Sequence, residues 1–138
     1  MSASPLEKLL GAFDALDVDA VMAMLEPDSR LLVADGRRAD GREAVRVMVT
    51  RFFADLRSTS HRILAQWLLD DVWIAETEAD YELRDWLQLK SLPRAFFVYE
   101  GSDGIRDLHV YGAHEHPLTE HRTGEEGMVI GDRWVPPL

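Results

Sequence analysis

Behind Ser4-Pro5, apolar residues recur at spacings of three and four: Leu6, Leu9, Leu10 and Phe13. This predicts an amphipathic helix. The serine can cap it, and proline suits its first position. Asp14, four residues after Leu10, falls at the edge of the apolar face. Asp17 can cap a second, short helix carrying Val18, Val21, Met24 and Leu25. Glu26-Pro27-Asp28 should end it, because the residue before a proline resists helical geometry. Arg30 to Ala34 reads as a strand and Asp35-Gly36 as a hairpin-type turn. Asp40 to Glu43 has the spacing of a capping box. The helix it opens carries Val45, Met48, Phe52 and Leu56, widened by Val49 and Phe53, and Ser58-Thr59-Ser60 should break it.

The period then changes from helical to twofold. His61 to Leu69 is rich in aliphatic and aromatic residues, and Asp70-Asp71 makes a turn. Val72 to Leu83 alternates, with Trp73, Ala75, Thr77, Ala79, Tyr81 and Leu83 on one face and Ile74, Glu76, Glu78, Asp80 and Glu82 on the other. Arg94 to Glu100 and Ile105 to Ala113 predict two more strands joined by Gly101-Ser102-Asp103-Gly104. Met128 to Val135 predicts a last one. Three helices followed by antiparallel strands define an α+β class, with the helices packed on one face of a mostly antiparallel sheet. If that sheet curves, its concave face and the helices enclose a pocket, with the acidic row outside. On this parity Trp67 and Tyr81 face inward if His61 and Trp73 do. Either aromatic can form a flat wall with one hydrogen-bond donor, or simply pack in the core.

Composition narrows the function classes. The 138 residues suit a single domain, with a core over about 4–113 and a less regular segment from 114 to 138. No cysteine is present, which excludes a disulfide-stapled scaffold. Fifteen basic against 25 acidic residues leave a formal charge of −10, and no basic patch appears. Nucleic acid and anionic membrane surfaces are therefore disfavoured partners. No apolar run reaches spanning length, and Met1 to Pro5 does not open a secretory signal, so a cytoplasmic location is expected. His114, His116 and His121, with Glu115 and Glu120, invite a metal reading. Their spacings match no helical zinc pair, and a solvated segment is the expectation, with no metal site. The acidic row is not a calcium loop and reads as a wet sheet face or the border of a subunit contact.

The order of elements resembles the nuclear-transport-factor-2-like superfamily, in its SnoaL-like and scytalone-dehydratase-like branch. The matching pieces are Phe13 to Ala20, Glu26-Pro27-Asp28, Asp40 to Val45, Thr59-Ser60-His61 and Asp103-Gly104-Ile105. The resemblance implies a cone-shaped fold of three N-terminal helices on a curved sheet, a pocket, and a homodimer formed through the sheet face away from that pocket. It implies no cofactor. The ketosteroid isomerases of this superfamily use a tyrosine, an aspartic acid and a catalytic base, whose places fall at Leu9, near Ala95 and near Val33, with Asp35 close by. That mechanism is disfavoured. The dehydratase branch carries an aspartate late in the first helix and a histidine opening the first long strand, where Asp14 and His61 stand. Its tyrosine and second histidine fall at Phe13 and about Thr77.

The resemblance thus implies Asp14 and His61 as catalytic residues and a pocket lined by Phe13, Trp67, Thr77, Tyr81, Phe97 and Val110. His109 and Tyr111 would face away, leaving Leu108 and Val110 inside. An imidazole can take a proton from an acidic C–H or return one to a leaving hydroxyl, and a carboxylate on one ring nitrogen fixes its tautomer. The alternative is a solvated Asp14 and a partly buried strand-end His61. The expected function is acid–base dehydration, isomerisation or cyclisation of a small apolar molecule without a cofactor. A non-catalytic ligand binder or a dimeric protein-interaction module of the same fold stands beside it.

Overall fold

The computed structural model describes residues 4–33 and 36–112, together with the backbone of two short strands, 128–130 and 133–135. Asp35 and the segment with His114, Glu115, His116, Glu120 and His121 lie outside the described residues. Helix α1 (Pro5–Asp14) starts as its sequence dictates: Glu7 N–H donates to Ser4 Oγ at 3.1 Å, and Pro5 opens the first turn. Its apolar face of Leu6, Leu9, Leu10 and Phe13 is buried. Helix α2 (Val18–Ala23) is capped by Asp17, which accepts from Ala20 N–H at 3.0 Å.

Helix α2 stops before the expected proline signal. Leu25 belongs to β1 (Leu25–Val33), because Ile105 N–H donates to Met24 O at 2.8 Å and Leu25 pairs in register with Ile105. Pro27 is then a strand residue. It sits between Leu25 and Arg30, where the ladder register shifts and no N–H is required of it. The Asp35-Gly36 signal does mark a hairpin, since β2 (Arg38–Asp40) pairs back on β1, with Gly36 at φ +93°. The short β2 itself escaped the pattern. The expected capping box is also not used. Gly41 holds the N-cap position of α3 (Arg42–Ala54) without a side-chain bond, while Asp40 is drawn into β2 and pairs with Arg38 at 2.8 Å.

Along α3, Val45, Val49 and Phe53 enter the core, while Met48 and Phe52 are half-buried beside it. Leu56 is not the last helical position but the first of β3 (Leu56–Leu69). Ser58, Thr59 and Ser60 therefore run within a strand, paired with Glu82, Tyr81 and Asp80. Strand β4 (Val72–Leu83) has the expected bounds and the expected parity, with Ala75, Thr77, Ala79, Tyr81 and Leu83 buried. Strand β5 (Gln88–Glu100) starts six residues before the expected Arg94. Pro93 does not stop it, because pairing with the next strand, β6 (Ile105–Gly112), ends at Gly112 opposite Arg94. The expected last strand is instead a separate hairpin of β7 (Met128–Ile130) and β8 (Arg133–Val135).

The fold class is the one expected: α+β, with a curved six-stranded sheet in the order β2-β1-β6-β5-β4-β3, antiparallel except for β1 beside β6. The helices cover its inner face, and the main core lies between the two layers. The acidic row of β4 does face outward, but it is not merely wet. Arg62 on β3 reaches Asp80 at 2.9 Å and Glu78 at 3.3 Å, and Arg57 reaches Glu82 at 3.2 Å.

Candidate functional site

Asp14 ends α1 at the point where the helix faces the start of β3. Its carboxylate accepts twice from one residue: Oδ2 from the backbone N–H of His61 at 3.1 Å, and Oδ1 lies 2.7 Å from His61 Nδ1. The two bonds fix the imidazole in position and in plane. With Nδ1 held, Nε2 is the nitrogen available to a bound molecule. The His61 side chain is 1% exposed and Asp14 31%, so the pair spans from solvent to interior. Phe13, Tyr81 and Phe96 meet the His61 ring edge-on at centroid distances of 6.3, 6.1 and 5.6 Å.

His61 opens onto a cavity of about 780 Å³ between α3 and the concave sheet face. Phe13, Tyr81, Arg94, Phe96 and Val110 form its inner wall, Met48 and Phe52 one side, and Arg37, Arg38, Asp40 and Arg51 stand around the α3–β2 side. Asp14 is not part of the wall. It stands behind His61, on the Nδ1 side of the ring. Among the described residues, no group of three His, Asp or Glu side chains is arranged to hold a metal ion.

Of the six residues expected in the wall, Phe13, Tyr81 and Val110 line the cavity. Thr77 faces inward but is fully buried, donating to Arg94 O at 3.1 Å, and does not reach the cavity. Trp67 was expected inside and is outside. A register shift between Ile63 and Ala65 inserts Leu64 as an extra residue, so the parity that carries His61 and Ile63 inward turns Trp67 outward beside Ile74. Phe97 was also expected inside. It lies on the outer face, with its ring 5.5 Å from Tyr111, and its neighbour Phe96 lines the cavity instead. Phe96 and Val98 on one face, and Ala95, Phe97 and Tyr99 on the other, are both apolar or aromatic, so parity alone could not choose between them. Leu108 and Val110 face inward as expected.

Two residues change the chemistry. Tyr81 is 3% exposed, and burial pushes its phenol above the ordinary range; the nearby Arg94 charge opposes this and loses. Tyr81 is thus a neutral hydrogen-bond donor. Arg94, which the pattern reading passed over, is 5% exposed, with its guanidinium 5.3 Å from the Tyr81 ring centre. Its signal was visible as one cation in the row Leu92, Phe96, Val98. The isomerase positions remain unfilled: Leu9 is core, Ala95 is on the outer face, and Val33 contributes only an apolar contact to the cavity.

The fold is a cone-shaped α+β fold whose helices and curved sheet enclose a cavity reached by His61. Residues 6–105 match the family model of the SnoaL-like domain, and the chain belongs to that family. No curated protein matches it in sequence. Solved structures share the fold. A protein from Catenulispora acidiphila with a ketosteroid isomerase-like fold, crystallised with trimethylamine, superposes with a TM-score of 0.71 at 15% identity, over 80% of this chain and 86% of its own. An epoxide hydrolase of Mycobacterium tuberculosis, similar to the LEH type, gives 0.68 at 16% identity, over 78% and 79%. A nuclear-transport-factor-2-like protein from Cytophaga hutchinsonii gives 0.62 at 14% identity, over 87% and 100%. At these identities the likeness is one of fold.

Proposed function

We propose that this domain binds a small, largely apolar molecule in the cavity and acts on it by proton transfer at His61 Nε2, with Asp14 as positioning residue. The observation that carries the reading is the double acceptance by Asp14 from the His61 backbone and ring, at 3.1 and 2.7 Å. A histidine held at two points, with its second nitrogen available beside an apolar cavity, suits abstraction of a C–H proton and its return to carbon or to a leaving hydroxyl. Tyr81 and Arg94 supply the oxygen-directed donors that a developing enolate or alkoxide requires. They do so from positions other than those of the isomerase or dehydratase donors. The reaction class is therefore dehydration, isomerisation or cyclisation, by groups of this chain alone.

The test is incubation in D2O with a panel of enolisable aryl ketones and β-hydroxy ketones, read by NMR. Wild type should catalyse exchange or water loss, and His61→Gln should slow it roughly 10²-fold or more. Catalysis untouched by the replacement would remove His61 from the role. Saturable binding without turnover would support the second reading, a ligand-binding protein, which the unfilled isomerase and dehydratase positions favour.

We further propose that the outer sheet face pairs two copies of the chain. Trp67, Ile74, Phe97, His109 and Leu32 lie side by side across five strands on that face. An apolar row of this length on a sheet is a natural contact surface.

A further inference from the structure

We propose that the cavity's ligand is a carboxylic acid with an apolar body, and that Arg94 is the residue that binds its carboxylate. The inference rests on the cavity being a ligand site, and it is independent of whether His61 transfers protons.

Arg94 sits on the inner face of β5, between the buried Leu92 and Phe96, and lines the cavity. A buried guanidinium is costly unless anions and acceptors surround it, and in protein interiors it is almost always paired. Here no carboxylate of the described residues pairs with it, and its side-chain hydrogen-bonding neighbour is the Tyr81 hydroxyl. The ion pairs made by Arg30, Arg38, Arg46, Arg57, Arg62 and Arg106 do not engage Arg94. Its Nε is buried without a hydrogen-bond partner. The flank of Tyr81 at 5.3 Å gives partial cation–π compensation and no acceptor for Nε. A carboxylate entering from the cavity would meet the two-pronged donor edge that guanidinium presents.

The backbone is built to admit this side chain. Arg94 pairs with Gly112, which has φ +147°. A Cβ at Gly112 would collide with Pro93 O and stand 2.9 Å from Arg94 Cα and 3.2 Å from its Cδ. Any other residue there would push the arginine stem from its place.

The cavity's charge points the same way. The chain carries a formal −10, yet Arg51 and Arg94 line this cavity beside the Arg38–Asp40 pair. A net cationic lining in an acidic protein concentrates anionic ligands. The remaining wall, with Met48, Phe52, Phe96 and Val110, suits an apolar body. Tyr81 lies between Arg94 and His61, so the carbons next to a carboxylate held at Arg94 would extend toward the histidine.

The experiment is calorimetric titration of the full chain with 2-naphthoate and with its neutral analogue 2-naphthamide. Wild type should bind the acid about tenfold or more tightly than the amide, the worth of a charge-assisted bond. In Arg94→Met the two should bind alike, with the amide unchanged from wild type, which also reports that the cavity is intact. Arg94→Lys should retain a reduced preference, and His61→Gln the full one. The Arg94→Met melting temperature should hold or rise, because an unpaired buried charge has been removed; a purely structural arginine would lower it. Equal affinity for acid and amide in wild type, or a preference that survives in Arg94→Met, would overturn the assignment of Arg94 alone. Failure of both probes to bind wild type would overturn the cavity as ligand site as well.

Discussion

Asp14 and His61 show what a single pair of side chains contributes when a helix end meets a strand start. Replacing Asp14 by Asn keeps the shape but puts an NH2 where an acceptor is needed at one of two positions. Binding of a cavity ligand should survive and proton transfer should fall, roughly tenfold to 10²-fold, as read by the solvent-exchange assay. Gly112 makes a second prediction at this scale. Its φ of +147° and the collision of a Cβ with Pro93 O mean that Gly112→Ala should destabilise the fold, by about 1–3 kcal/mol, measured by urea denaturation. It should also weaken the naphthoate preference, because Arg94 Cδ must give way. Asp14 and His61 were legible only through the family resemblance, and Phe13 and Tyr81 through helical spacing and strand alternation. Arg94 was not, because nothing local says that a lone cation in an apolar strand row ends up buried and unpaired; only the neighbouring strands show that.

At the scale of elements, β4 was read residue for residue, because half-buried strands alternate and the extra residue at each of its register shifts lies on the neighbouring β3 or β5. Strand β3 was misread in its second half for the opposite reason. The shift between Ile63 and Ala65 is one residue long, and it turns Trp67 over. Deleting Leu64 should leave a regular ladder with Gln66 and Trp67 on the faces they now hold, because the residue removed is the extra one. Gln66 should keep its bonds to Ser4 and Glu7, at 3.2 and 2.9 Å, that tie β3 to α1. Trp67 emission should stay that of an exposed indole, and a shift to shorter wavelength would show that the strand had turned over instead. Helix ends were legible where a side chain makes the cap and illegible where tertiary pairing ends the helix. Asp17→Ala should cost about 1 kcal/mol, whereas Pro27 played no part in stopping α2. Leu25 left the helix because β6 offered it a ladder partner.

For the whole molecule, the outer face carries the proposed contact between copies and the groups that set acid stability. If the row through Trp67 and Phe97 is a contact between copies, light scattering should show a dimer in wild type and a monomer in Trp67→Glu. His109 lies in the same row, and burial holds its imidazole below the ordinary value of 6.5; Asp107 opposes this and Arg30 adds to it. The unfolded chain therefore takes up this proton at higher pH than the folded one. Stability is complete above about 6.5 and declines as pH drops through the lower, folded value. Asp80, held by Arg62 and by Ser91 N–H, lies below its ordinary 3.8. Asp107 does too: burial works against its charge, but the bonds from Arg30 and Arg106 together outweigh it. Their contribution is present above 3.8 and lost as pH falls through their folded values. Melting temperatures should thus decline in two stages on acidification, and His109→Phe should remove only the first. No helix among the described residues is long and apolar enough to cross a membrane.

The central claim is that Asp14 holds His61 with Nε2 presented to an occupied cavity, and ¹⁵N NMR of the His61 imidazole tests it most directly. The neutral ring should carry its proton on Nδ1, and the Nε2 resonance should move when 2-naphthoate fills the cavity. A ring protonated on Nε2, or one indifferent to the cavity's occupant, would contradict the account.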